Sequence, residues 1–178
     1  TIILTITDTS GKKDTCNVLV TVEDNNTPEA KCKPVTLSLD ADGNATLTAA
    51  QVYDGDATAD KVTLSIDNSS FDCSNLGANS VVLSVTGENG KTATCPATVT
   101  VVDAIAPSAN CVNPFTIQLD TNGEATITEA DINNNSTDNC GIATRTLSQS
   151  NFTRADVGEN TIILTITDTS GKKDTCNV

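Results

Sequence analysis

The sequence predicts an all-β chain of small two-sheet domains, each of about 80 residues, strung in a linear array. Three observations carry that expectation. Thr1–Val18 (TIILTITDTSGKKDTCNV) recurs letter for letter as Thr161–Val178, a shift of 160 positions (161 − 1). The 160-residue period (161 − 1) itself divides into two related halves. Nearly every segment alternates apolar and polar residues with period two, and no helical periodicity of useful length interrupts it.

The halves align over long stretches. Gly87–Cys111 matches Asp8–Cys32, setting Asp103 on Asp24, Pro107 on Pro28 and Cys111 on Cys32. Leu37–Val52 matches Ile117–Ile132, and Leu76–Lys91 matches Val157–Lys172. The expected organisation is therefore closing strands of an upstream repeat over 1–24, a first repeat over 25–104, and a second over 105–178 truncated at its last strand. The halves differ at many positions while the overlapping copies are identical, so the array is expected to alternate two domain types. The chain then reads as a slice of a longer filament. Residues 1–24 would expose apolar strands, and a poorly soluble fragment is expected.

The elements follow in order. Val35, Leu37 and Leu39 open the first repeat on one face, and Phe115, Ile117 and Leu119 are expected to open the second as a strand. Val81, Leu83 and Val85 share a face, with Ile162, Leu164 and Ile166 as their twins. Ala93, Cys95, Ala97, Val99 and Val101 line the following strand. The opposite faces carry Thr, Ser and Asn, as a half-solvated antiparallel sheet requires. Ser10-Gly11, Asp42-Gly43, Asn89-Gly90 and Asn122-Gly123 supply the turns. About seven short strands per 80 residues make a sandwich of immunoglobulin-like type.

Composition narrows the partners. Net charge is −13, His, Met and Trp are absent, and aromatics are 2%. So acidic a chain repels nucleic acid and anionic membrane. No run approaches the ~18 apolar residues of a membrane span, so no membrane insertion is expected. Seven cysteines in an aromatic-poor chain favour an oxidising, extracytoplasmic setting.

The motifs resemble a family. A D-x-x-G turn (Asp40–Gly43, Asp120–Gly123), a D-N-C-G loop (Asp138–Gly141), F-x-C (Phe71–Cys73), G-x-N-[ST] before a VVLSV-type strand, G-K-x-x-T-C (Gly90–Cys95, Gly171–Cys176) and V-x-D-x-x-x-P-x-A-x-C together look like hyalin-repeat (HYR-like) immunoglobulin-like domains. The whole chain is similar to the tandem repeats of giant cell-surface adhesins of gliding bacteria, of the SprB type. That resemblance implies a secreted, extracellular location on a bacterial cell surface, a role in adhesion or gliding motility, and no catalytic residues.

In immunoglobulin-like sandwiches the first strand can run parallel beside the last. Cys32–Cys95 and Cys111–Cys176 are the pairs expected on that geometry, with Cys16 left for an upstream partner. The rival Cys16–Cys32 fits badly, because the chain after Cys16 runs out as strand at ~3.3 Å per residue and would have to double back. Cys73 and Cys140 are odd. The resembled family often has both positions in one repeat, whereas here Ala59 or Asp60 replaces one and Arg154 the other. Two free thiols are one reading; a Cys73–Cys140 bond between neighbouring domains or chains is the other.

Calcium is the one cofactor the sequence offers. Asp54, Asp56 and Asp60 are spaced like a loose calcium loop, matched by Asp131, Asn133, Asn135 and Asp138; Asp24 and Asp103 stand at the linkers, where an ion would rigidify a junction. The alternative is that these residues cap turns and keep sheet edges soluble. Without His there is no Ser-His-Asp or Cys-His machinery, and a deep cleft is hard to build in small sandwiches, so an enzyme is not expected. The contest is between a stalk, whose partners are neighbouring repeats and laterally associated chains, and a module binding a surface glycan or other ligand through its loops, with calcium as an aid. One Tyr offers little for sugar stacking, which favours the stalk.

Overall fold

Alternation becomes hairpins, and the turn chemistry closes them. In the computed structural model, which describes residues 1–58 and 60–178, thirteen strands are assigned among the described residues, and those over 35–38, 77–87, 92–102 and 163–168 fall in the alternating runs. Ala59 lies outside the described residues. The α-helical content among the described residues is two single turns, each opened by a threonine whose backbone and hydroxyl donate to the side chain three residues on; two 3-10 turns, Cys73–Asn75 and Arg154–Asp156, complete the helical part. The described chain is all-β.

Strands β1 (Ile2–Thr7) and β2 (Lys13–Val18) form an antiparallel hairpin, exposed throughout. The first unit then contains β3 (Val35–Ser38), β4 (Asn44–Thr46), helix α1 (Ala49–Val52), β5 (Val62–Ile66), β6 (Ser70–Asp72), β7 (Gly77–Gly87) and β8 (Thr92–Val102). A four-stranded sheet ordered β3-β8-β7-β5 and a two-stranded sheet β4-β6 close on one core. Strand β3 runs parallel to β8, pairing Val35 with Val99, and β7 pairs antiparallel with β8 along nearly its whole length. Val81, Leu83, Val85 and Val99 are fully buried, each stabilising the fold by about 1.5–3 kcal/mol relative to exposure.

The second unit repeats the plan with β9 (Glu124–Thr126), α2 (Glu129–Ile132), β10 (Ile142–Leu147), β11 (Asn151–Thr153), β12 (Ile163–Asp168) and β13 (Lys173–Asn177). Its sheets are β10-β12-β13 and β11-β9, around Ile132, Phe152, Leu164 and Ile166. The repeated eighteen residues keep their register in both places: Leu4 faces Cys16 and Leu164 faces Cys176. Their surroundings differ completely. Leu4 is 53% exposed and Leu164 0%.

One expected element is missing. Phe115, Ile117 and Leu119 form no strand, and Phe115 is 48% exposed. In the first unit β3 is held by Val99–Val102, but β13 ends at Asn177 and has no counterpart to that stretch. A groove of about 910 Å³ remains, lined by Phe115, Ile117, Leu119, Ile162 and Val178 among others. Val20–Glu23, which align with Val99–Val102, are exposed and lie in no strand.

Three disulfides cross-link the chain: Cys32–Cys95, Cys111–Cys176 and Cys73–Cys140, with Cα separations of 6.1, 5.7 and 5.3 Å. Cys16 is exposed and unbonded. The first two bonds each tie a unit's opening to its last hairpin. The third joins the two units, so the structure holds Cys73 and Cys140 as a pair and not as two thiols. Three such bonds suit an oxidising, extracellular environment. No helix among the described residues is long and apolar enough to cross a membrane.

Candidate metal centre at the junction of the units

The inter-unit disulfide marks a dense junction. Asn139 Nδ2 donates to the Asp40 carbonyl at 3.1 Å, and Lys172 Nζ donates to the Asp103 carbonyl. Gly43 has φ +76°, and a Cβ there would sit 2.7 Å from Cys73 Sγ and 2.8 Å from the Asn139 carbonyl oxygen. Only glycine lets the second unit's loop approach this closely.

Four buried side-chain oxygens lack a hydrogen-bond partner among the described residues: Asp103 Oδ2, Asp138 Oδ1, Asn139 Oδ1 and Asp168 Oδ2. Three belong to aspartates that converge. One carboxylate oxygen from each of Asp103, Asp138 and Asp168 lies within 4.8 Å of the other two. Asp103 is 4% exposed and Asp168 1%, while Asp138 is half-buried.

The same device positions all three. One oxygen of each carboxylate is engaged by its own turn, and the other is left over. Asp103 Oδ1 accepts from Ile105 N at 3.0 Å, and Asp138 Oδ2 from Cys140 N at 2.8 Å. Asp168 Oδ1 accepts from Ser170 N, Ser170 Oγ and Lys172 N at 2.8, 2.9 and 2.8 Å. This last turn is a local property of the sequence D-T-S-G-K. In the exposed copy, Asp8 Oδ1 accepts from Ser10 N, Ser10 Oγ and Lys12 N at 2.8, 2.7 and 2.9 Å. There the Ser10 hydroxyl, followed by the Lys12 amide, holds the Asp8 carboxyl below the usual aspartate range.

Charge makes the cluster costly as it stands. Two unit negative charges within 4.8 Å of each other repel by about 3 kcal/mol or more at an effective dielectric of about 20. No ion pair reaches any of the three among the described residues. Lys172 spends its ammonium on the Asp103 carbonyl and Ser170 Oγ. Buried charge is ordinarily paired or metal-bound. An all-oxygen donor set suits a hard cation and not zinc or copper.

The other acidic residues singled out in the sequence do not gather into such a cluster among the described residues. Asp60 Oδ2 accepts from the Tyr53 hydroxyl at 2.7 Å, and Asp56 Oδ1 from Thr58 N at 3.0 Å. Asp54 is exposed at the mouth of the same loop. Asp131 Oδ2 is occupied by Thr128 at the start of α2, which lowers its pKa. Asp24 is exposed and accepts from Asn26 N at 2.9 Å. The site thus unites Asp103 and Asp138 with Asp168, which sequence reasoning missed. A signal existed: the aligned halves set Asp168 and Asp8 against Gly87, a difference confined to one domain type.

Neither a family model nor a curated protein matches this chain.

Proposed function

We propose that this chain is a stalk segment of a secreted cell-surface adhesin, in which immunoglobulin-like units joined end to end provide reach and stiffness for adhesion or gliding. The supporting observation is the covalent and polar tie between consecutive units: Cys73–Cys140, Asn139 to Asp40 and Lys172 to Asp103 all cross from one unit to the next. A binding module needs no such tie, whereas a load-bearing series does. The identical hairpin 160 positions apart (161 − 1) provides the repeat that such a series grows by. The neighbours of each unit are then further repeats, and the chain does no catalysis.

Small-angle scattering on chains of one, two and three periods tests the reading. A stalk gives a maximum dimension rising in proportion to the number of periods. Growth near the cube root of length, as for one globule, overturns it. A glycan array probed with the single chain is expected to show no saturable binding; specific saturable binding would move the assignment to a ligand-binding module.

A further inference from the structure

We propose that Asp103, Asp138 and Asp168 bind one calcium ion, which locks the second unit onto the chain that enters it. The cluster is more than a group of acids. Asp103 and Asp168 are more than nine-tenths buried, and each of the three carboxylates keeps one oxygen with no partner. Asp103 closes the first unit just after β8, Asp138 lies in the loop that carries Cys140, and Asp168 ends β12. Their oxygens meet within 4.8 Å. Oxygens bound at ~2.4 Å to a common calcium lie at most about 4.8 Å apart, so that spacing admits a shared ion. Calcium's six to eight ligands leave room for further oxygens from carbonyls and water.

The choice of calcium over magnesium rests on the scaffold. Each aspartate is held by its own turn on a different element, an arrangement that tolerates irregular geometry. Magnesium demands a near-ideal octahedron and keeps much of its water, which buried carboxylates do not accommodate. The exposed copy supplies an internal control, because Asp8 sits in the same turn without the other two aspartates beside it.

Isothermal titration of chelator-treated protein with calcium chloride tests the site. One saturable site per chain is expected, with magnesium at least tenfold weaker. A hundredfold excess of calcium over Kd should raise the second unit's melting temperature by about 10–20 °C. Asp168→Asn should abolish the binding, and Asp8→Asn should leave it intact. Asp138→Asn, at the half-buried position, provides a second variant if Asp168→Asn fails to fold. Absence of saturable binding to the wild-type chain at millimolar calcium overturns the proposal. So does binding that persists in a folded Asp168→Asn or Asp138→Asn chain, or equal affinity for magnesium. None of these readouts depends on whether the array is a stalk.

Discussion

The two units receive the chain in different ways. Ahead of the second, three aspartates converge, two of them buried, and Lys172 grips the Asp103 carbonyl. Ahead of the first, the corresponding turn holds Gly87 where the second has Asp168, and the contacts are direct. Asn89 Nδ2 donates to the carbonyls of Asp24 and Asn26 at 3.1 and 2.7 Å, and Lys91 Nζ to that of Asn25. The lysine grip is common to both; the rest is not. Register also sets Thr58 against Asp138, since Val62 pairs with Gly87 as Ile142 pairs with Asp168. The first junction therefore keeps one carboxylate of the three. One junction holds the entering chain by amide and lysine hydrogen bonds, and the other by a lysine beside three gathered carboxylates.

The units also differ in how much core they own, and the largest expected effect exploits that. Among the described residues, twelve buried side chains form the first core and six the second. The bonds Cys32–Cys95 and Cys111–Cys176 close loops of similar length, with separations of 63 and 65, worth about 4 kcal/mol each in the chain-entropy model. Replacing Cys111 and Cys176 together by serine is expected to unfold the second unit at 37 °C, while Cys32 and Cys95 replaced likewise leave the first folded. Calorimetry with two resolved transitions checks this. Equal sensitivity of the two would show that core size does not separate them.

Next in size is the groove. Appending the residues Leu19–Asp24 after Val178 supplies the second unit with what Val99–Val102 give the first. Val99 and Val101 are 0% and 2% exposed in the first core. Two valines buried in the same way add about 3 kcal/mol or more to the second unit alone. Phe115–Leu119 should then gain amide-exchange protection as a parallel strand. An unchanged denaturation midpoint would mean that the groove is not a strand seat.

A smaller change probes the junctions directly. A Cβ at Gly87 would lie 3.2 Å from Asn89 Oδ1 and 3.7 Å from Pro28 Cδ. Gly87→Asp crowds Asn89 away from the carbonyls it serves and costs the first unit about 1 kcal/mol. Calcium stoichiometry should stay at one, because Thr58 offers no carboxylate. A second calcium site in Gly87→Asp would show that two carboxylates suffice.

Much of this was readable in the sequence because strands and turns are local. The alternation places Val81, Leu83, Val85 and their twins on a buried face, and Cys32–Cys95 and Cys111–Cys176 each tie a unit's opening to its last hairpin as that pattern leads one to expect. What escaped depends on distant neighbours. Asp168 sits in a D-T-S-G turn much like the turns at Asp40 and Asp120, and its role appears only when Asp103 and Asp138, 65 and 30 positions away (168 − 103, 168 − 138), fold against it. Phe115–Leu119 alternates as well as Val35–Leu39 does, yet a strand needs a partner as well as a pattern. Asp54, Asp56 and Asp60 are spaced like a calcium loop, and nothing in the sequence signals that the Tyr53 hydroxyl donates to Asp60.

That tyrosine gives the smallest and cleanest test of the contrast, because it is the only one in the chain. At its counterpart in the second unit stands Asn133, by the bridges Cys32–Tyr53 and Cys111–Asn133. The Tyr53 hydroxyl donates to Asp60 at 2.7 Å, and that bond, then burial, then the Asp60 charge push its pKa up to about 12. The neutral phenol is the form the fold favours. Its contribution is therefore complete below the unfolded value near 10 and disappears as pH rises through about 12. The first unit should lose stability over that window, and the second should show no tyrosine-linked loss. Phenolate absorbance reports Tyr53 without interference. A midpoint near 10 in the folded chain would show that the Asp60 bond does not hold in solution, and would free Asp60 to act with Asp54 and Asp56 in the first unit's loop.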